Sequence, residues 1–270
     1  MRKLFCSLLL AGLVNGQTPA QWSDDELWKD FSAWVEGLKR LPAGKSALIG
    51  PAYAEHLKTK GASEQEAMKL AQRMGQIRRA SADRERIYWN GAFKLGGGPN
   101  DPLRLLQETV HKRKPGKALD SAMGRGRNAI YLASLGWDVT GYDMSADALA
   151  VAKEDAEKAG VKLKLVEAKH ETFDFGENQW DLILCSYNYM MPTDANWPAI
   201  FAKALRPGGI VIYQSAWGRE AGLAKLIAHW SPLRIIRYED LDAGEIVDDW
   251  GPSRTNPTVK LIFRKELSAN

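Results

Sequence analysis

Asp120, Gly124, Gly126 and Asp143 stand at spacings that suit a ligand carrying a nucleoside. Three of them lie in Ala118-Leu119-Asp120-Ser121-Ala122-Met123-Gly124-Arg125-Gly126-Arg127-Asn128, which reads as a strand end, a tight turn and a helix start. Glycine at the turn admits backbone angles that other residues avoid, and it lets the chain approach a ligand with no Cβ in the way. The helix start offers unpaired N–H groups and a partial positive charge. Asp143 closes a second apolar run about 20 residues beyond the glycines, where a carboxylate suits both hydroxyls of a ribose.

The elements that must position these groups alternate. A helix is predicted over 103–110, then a strand ending at Leu119, a helix over 128–133 that stops at Gly136, and a strand over 137–142 ending in Asp143. Ser145 caps an alanine-rich helix over 146–159 that Gly160 closes. Strands follow over 161–166, 180–186 and 210–215, with helices over 198–205 and 221–230 and a turn at Pro207-Gly208-Gly209. Two β-like runs, 233–238 and 259–265, end the pattern. Strands alternating with helices imply an α/β fold with a parallel sheet covered on both faces.

Upstream the pattern is helical. Ser23 with Glu26 and Ser63 with Glu66 form capping boxes. Leu27, Phe31, Trp34, Val35 and Leu38 make one apolar stripe, and Ala67, Leu70, Ala71, Met74 and Ile77 another. The charged run 78–86 is mixed in sign and predicts a solvated helix face. An aromatic patch over 87–93 leads into Gly96-Gly97-Gly98-Pro99, a natural hinge. The chain thus divides into 1–16, a helical extension over 17–95, and an α/β domain over 96–270.

The glycine turn with Asp120, the run ending in Asp143, Trp180-Asp181-Leu182-Ile183-Leu184 and Leu205-Arg206-Pro207-Gly208-Gly209 occur in order. Together they resemble the class I S-adenosylmethionine (SAM)-dependent methyltransferases, most closely the small-molecule branch. The resemblance runs from about Pro102 to the C-terminus. It implies a Rossmann-like seven-stranded sheet, mostly parallel, whose last strand is antiparallel and inserted between its neighbours. It implies SAM as cofactor, held by Asp120, Ala122, Met123, Gly124, Gly126 and Asn128 at the methionine end. Asp143 would take the ribose, Met144, Lys169 and His170 the adenine side, and Ser186 the region near the methyl. Tyr187, Asn188 and Tyr189 are candidates to position an acceptor, with His170 a more distant candidate for a base. Two positions depart from the family: Ala122 replaces the first loop glycine, and Lys169 stands where an acidic residue is usual. In such enzymes a segment like the helical extension often lies over the cofactor, so 17–95 reads as a lid or as a plain linker.

Other chemistries fit less well. Gly124-x-Gly126-x-x-Ala129 also matches a dinucleotide fingerprint, so a nicotinamide-dependent oxidoreductase is the alternative enzyme, and a non-catalytic binding protein on the same scaffold is the alternative of another class. His170-Glu171-Thr172-Phe173-Asp174 lacks the second histidine of a zinc-protease helix, no metal site is expected, and no Gly-x-Ser-x-Gly is present. Gly44-Lys45-Ser46 imitates the end of a phosphate loop, but the earlier glycine is misplaced and a helix precedes it. Cys185 at a strand end reads as a half-buried packing residue. A net charge of +4, spread along the chain, does not argue for nucleic acid, and the resemblance implies a small-molecule substrate. The sequence leaves the oligomeric state open.

Arg2 and Lys3 followed by the short apolar run Leu4 to Val14 read as a secretory signal peptide cut near Gly16. The run is too short to span a bilayer in the mature protein, which predicts an exported protein with no stable membrane span. If the segment is not processed, the protein stays in the cytoplasm. Mass spectrometry of the native protein is expected to find Gln17 or a neighbour as the first residue; an intact Met1 on cytosolic protein overturns export.

Overall fold

The structure, a computed structural model, describes residues 18–42, 45–188, 196–215, 223–242 and 258–267. The signal-like segment, Gly44 and Tyr189 fall outside the described residues. Two compact units divide at the glycine hinge, Met1–Gly97 and Gly98–Asn270.

The first unit is helical: α1 (Asp24–Gly37), α2 (Ile49–Thr59), α3 (Glu64–Ile77) and α4 (Ala82–Lys94). Both predicted capping boxes form, with the Ser23 and Ser63 hydroxyls accepting from the N–H groups of Glu26 and Glu66. Leu27, Phe31, Tyr53, Leu57, Leu70 and Met74 are buried together in its core. The charged run 78–86 is only in part the solvated face its composition predicts, with Arg79 and Asp83 exposed. Arg78 and Glu85 are both buried and pair at 3.2 Å, and the Arg78 guanidinium lies 3.9 Å from the centre of the Tyr88 ring. The aromatic patch next to the run explains this: Tyr88 and Trp89 on α4 give Arg78 ring faces to stack on.

The second unit holds α5 (Arg104–Val110), α6 (Arg127–Ser134), α7 (Ala146–Lys158), α8 (Trp197–Ala204) and α9 (Leu223–His229) around a seven-stranded sheet. The strands are β1 (Lys117–Ser121), β2 (Asp138–Asp143), β3 (Lys164–Glu167), β4 (Trp180–Ser186), β5 (Leu205–Ser215), β6 (Arg234–Leu241) and β7 (Thr258–Arg264). Their order is β3-β2-β1-β4-β5-β7-β6. β7 runs antiparallel to both neighbours, and the five strands before β6 pair in parallel, as the resemblance implies.

Alternation along β1 sorts the two cores. Leu119 faces α8 and α9 with Tyr142, Ile183, Val211, Phe201, Leu226 and Trp230, while Ala118 faces α5 to α7 with Val139, Leu182, Leu105, Leu132 and Ala152. Two spans differ from expectation. β3 begins at Lys164 because the segment after Gly160 lacks a pairing partner until Thr140 of β2 meets Lys164. β5 begins at Leu205, since the Pro-Gly-Gly segment is drawn into the sheet by Gly208 N–H donating to the Lys265 carbonyl and Lys265 N–H to that of Gly209. No helix among the described residues is long and apolar enough to cross a membrane.

Candidate functional site

β1 points its C-terminal end at the glycine turn, and α6 starts directly after it. Gly124 and Gly126 have φ of 55° and 78°, in the left-handed region the turn requires. A Cβ on Gly126 would lie 2.8 Å from Met123 Cε and 3.1 Å from Ala152 Cβ, so those side chains would have to shift. Met123 donates its N–H to the Tyr142 carbonyl at 2.9 Å, and its sulfur fills the space a side chain on Gly141 would need. The turn is thereby fastened to β2.

Asp143 is the second fastening. Its Oδ2 accepts from Gly124 N–H at 2.8 Å and its Oδ1 from Ser145 N–H at 2.9 Å. It is buried, which pushes its carboxyl up to about 6 against the pull of those N–H donors. Asp120 lies on the α5–α7 face, 1% exposed. Burial is also the main cause that raises its carboxyl to about 7, opposed by the charge of Arg127 and the N–H of Ala129 and reinforced by Asp143. Its Oδ2 is buried and has no hydrogen-bond partner. An acceptor left bare in the interior costs about 1–3 kcal/mol, more for a charged group. That cost is removed when a cationic donor arrives.

Ala122 has φ of +49°, so alanine sits where the family carries glycine and adopts the glycine conformation. Asn128 is buried and accepts from Leu103 N–H through Oδ1 at 2.9 Å; its side chain thus ties the start of α5 to α6. Met144 and Ser186 are half-buried at the C-terminal ends of β2 and β4. Lys169 is half-buried just past β3, in a turn where its carbonyl accepts from the N–H groups of Thr172 and Phe173.

A polar knot crosses the other face, and only part of it was legible in the sequence. Ser121 Oγ donates to the Leu184 carbonyl at 2.7 Å and accepts from Asn188 Nδ2 at 2.9 Å. Cys185 Sγ lies 3.4 Å from the same hydroxyl. Cys185 is fully buried, not half-buried, and burial pushes its thiol up to about 12, so it stays a neutral packing group. Tyr142 OH and His170 Nδ1 are 2.8 Å apart. Burial lowers His170 to about 4, which keeps the ring neutral at pH 7 and makes it a poor base. Tyr187 has φ of +51°, its N–H donates to the Gln214 carbonyl at 2.8 Å, and its OH accepts from Gln214 Nε2 at 3.0 Å. The roles of Ser121 and Gln214 carried no motif signal; they follow from the registers that align Ser121 with Cys185 and Ser186 with Gln214.

The structure therefore gathers Asp120, Ala122, Met123, Gly124, Gly126, Asp143 and Met144 at one end of β1 and β2, with His170, Ser186, Tyr187 and Asn188 along the same edge of the sheet. Residues 118–209 match the family described as a methyltransferase domain. This stretch is similar to a methyltransferase domain, and the seven-stranded sheet around it has the Rossmann-like methyltransferase fold. Over 87 residues it is 33% identical to the ribosomal RNA small subunit methyltransferase C of Alcanivorax borkumensis, covering 32% of this chain and 27% of that protein. Over 118 residues it is 30% identical to a ubiquinone biosynthesis O-methyltransferase of Burkholderia thailandensis, covering 43% of this chain and 51% of that one. The chain thus spans between about a quarter and a half of the length of these two relatives. The fold resembles that of TehB from Haemophilus influenzae, with a TM-score of 0.50 at 20% identity over 60% of this chain and 61% of that one.

The family implies SAM as cofactor, and the methyltransferase residues present fit it. The bare Oδ2 of Asp120 suits the ammonium of the methionine end, and Asp143 keeps a second lone pair on each oxygen for ribose hydroxyls.

The strain at Ala122 is measurable. A left-handed alanine costs about 1–2 kcal/mol, and glycine returns about 0.4–1 kcal/mol of that through its freer unfolded chain. Ala122→Gly is therefore expected to stabilise the protein by about 0.5–1 kcal/mol in urea unfolding. A destabilised variant contradicts the left-handed assignment.

Proposed function

We propose that this protein transfers the methyl group of SAM to a small-molecule acceptor. The observation that carries the reading is the pair of buried carboxylates at the glycine turn: Asp120 with a bare oxygen, and Asp143 bracing the loop. When bound, the cofactor supplies a methyl carbon already activated by its sulfonium. The chain has then to bind, orient and exclude water, and alignment alone accounts for much of the rate in a displacement of this kind. Asp120 holds the cationic end. Asp143 fixes both the turn and the ribose. Tyr187 and Asn188, anchored by Gln214 and Ser121, give a rigid polar wall at the end of β4 for an acceptor. His170, neutral, serves as a wall and not as a base, so the reading suits an acceptor that reaches the site with its lone pair free.

The relatives differ in what their names say they methylate, ribosomal RNA in one and a ubiquinone precursor pathway in the other. A net charge of +4 over 270 residues gives nucleic acid no special support, and the small-molecule class is kept. The nicotinamide alternative gains nothing from the site, since residues 118–209 match methyltransferases and the bare Asp120 oxygen asks for a cation.

Two titrations by calorimetry test the reading, with S-adenosylhomocysteine as the probe. Asp143→Ala, shown to be folded by circular dichroism, is expected to lose about 1.5–3 kcal/mol of affinity, the range for hydrogen bonds to a charged group; unchanged affinity rejects the ribose role. The second titration follows pH. Asp120 ionises as pH rises through about 7, and only the ionised form pairs with the ammonium. Affinity is expected to rise from pH 6 to pH 8 in the native protein and to rise clearly less in Asp120→Asn, where only Asp143, near 6, still titrates at the turn. Absence of binding in both proteins at millimolar probe rejects SAM dependence.

A further inference from the structure

The foot of the sheet, opposite the glycine turn, carries positive charge that the reaction does not use. Lys112, Arg113, Lys114 and Lys117 lie between α5 and β1, and no acidic residue occurs from Thr109 to Leu119. The three lysines are exposed and Arg113 is half-buried. Arg113 donates through Nη2 to the Gly208 carbonyl at 3.3 Å, and Gly208 N–H donates to the Lys265 carbonyl at 2.9 Å, which brings a fifth cation to the run from the end of β7. Lys265 gives its ammonium to neutral acceptors, Asn178 Oδ1 and the Leu205 carbonyl. Among the described residues none of these five side chains forms an ion pair. The acids nearby are largely occupied. Asp181 accepts from Lys117 N–H and pairs with Arg206, Glu177 lies 3.9 Å from Lys203, and Glu266 is taken by Arg234 and Arg264. Asp138, in register with Lys117, is exposed and offsets one charge.

Two leucines project beside these cations. Leu267, 74% exposed, lies over Gly208: its Cδ2 is 3.3 Å from where a Cβ on that glycine would stand. Leu135, 41% exposed, follows α6 and precedes Gly136, whose own Cβ position is 3.9 Å from Pro115 Cγ. Asp138 N–H, donating to the Gly116 carbonyl at 3.0 Å, holds that corner to the basic run. Lysines flanking exposed leucines suit a bilayer with anionic headgroups, where the cations meet lipid phosphates and the aliphatic side chains enter the acyl boundary. A single strand of nucleic acid asks instead for exposed aromatic faces on which bases stack. None of the exposed large apolar residues among those described carries an aromatic ring.

We propose that the foot of the sheet docks this protein on an anionic lipid surface, with the five cations over the headgroups and Leu135 and Leu267 entering the interface. Each lysine or arginine near such a surface adds to the attraction, and salt screens it. β1 separates the two ends of the sheet: from Lys117 to Ser121 it spans about 13 Å at the usual strand rise. The docked protein therefore holds its glycine turn away from the bilayer and leaves it open to a cofactor. No residue of the docking surface belongs to that turn, so the surface stands independently of the methyl-transfer reading.

Sedimentation of the full chain with vesicles tests the proposal, using phosphatidylcholine alone and phosphatidylcholine with an equal share of phosphatidylglycerol. Binding to the neutral vesicles reports what the apolar run 4–14 contributes, and the increment on the anionic ones reports the basic surface. Anionic vesicles are expected to bind about tenfold more tightly than neutral ones, and added salt to remove the difference. Lys112→Gln combined with Lys114→Gln, shown to be folded by circular dichroism, is expected to weaken anionic binding about tenfold. The same loss of charge placed elsewhere, Lys69→Gln combined with Lys153→Gln, is expected to leave it within about twofold. Leu267→Ser is expected to weaken it by about threefold or more. Any of four results overturns the proposal: equal binding to both vesicles; equal losses in the two double variants; no response to Leu267→Ser; or tighter binding to poly(U) RNA than to anionic vesicles, which assigns the surface to nucleic acid. If the cofactor cleft fails to bind S-adenosylhomocysteine, the methyl-transfer reading falls while the vesicle measurements still decide this surface.

Discussion

The second unit depends on one carboxylate. Asp143 holds Gly124 with one oxygen and Ser145 with the other, and so joins the glycine turn after β1 to the start of α7 after β2. Beside it, the Met123–Tyr142 backbone bond and the packing of Met123 tie the turn to β2. The arrangement makes an ionisable group a structural fastener in a place where burial resists its ionisation. Donors on both oxygens favour the charged form, and burial favours the neutral one. Asp120, close enough for the two charges to be felt, has fewer donors and a stronger upward shift. The two acids at the turn are thus differentiated by their neighbours: one secures backbone, and the other is left with an oxygen for something else.

Much of this was legible in the sequence, for identifiable reasons. Asp120, the glycines and Asp143 are fixed by backbone requirements that only a few residue types meet, so their spacing carries information. Helices α1, α3 and α7 announced themselves through serine caps whose hydroxyls meet N–H groups within the same turn. What stayed hidden depended on partners distant in the chain. Arg78 and Glu85 look solvated until Tyr88 and Trp89 are seen to cover the guanidinium. The extent of β5 back through Pro207-Gly208-Gly209 depends on Lys265, far along the chain. Ser121, a small polar residue in an apolar strand, reads as filler until β4 brings Cys185 and Asn188 to it. Local rules find residues that obey them; cross-strand partnerships appear only with the register.

Two residues other than glycine at this edge of the sheet are held in the left-handed region, Ala122 after β1 and Tyr187 after β4. These are the ends of the two adjacent central strands, and each strained residue is flanked or held by a backbone bond that spans to the neighbouring strand: Met123 to Tyr142 on one side, Tyr187 to Gln214 on the other. Strain of this kind persists only where the surroundings over-determine the conformation. Both strands turn sharply there, at Ala122 and at Tyr187. The two bends lie at the ends of β1 and β4, near buried Asp120 and the Ser121–Asn188 knot. Strain at two adjacent strand ends, beside the bare oxygen of Asp120 and the Ser121–Asn188 knot, is a local cost that the surrounding bonds sustain, and such costs cluster where a fold does its chemistry.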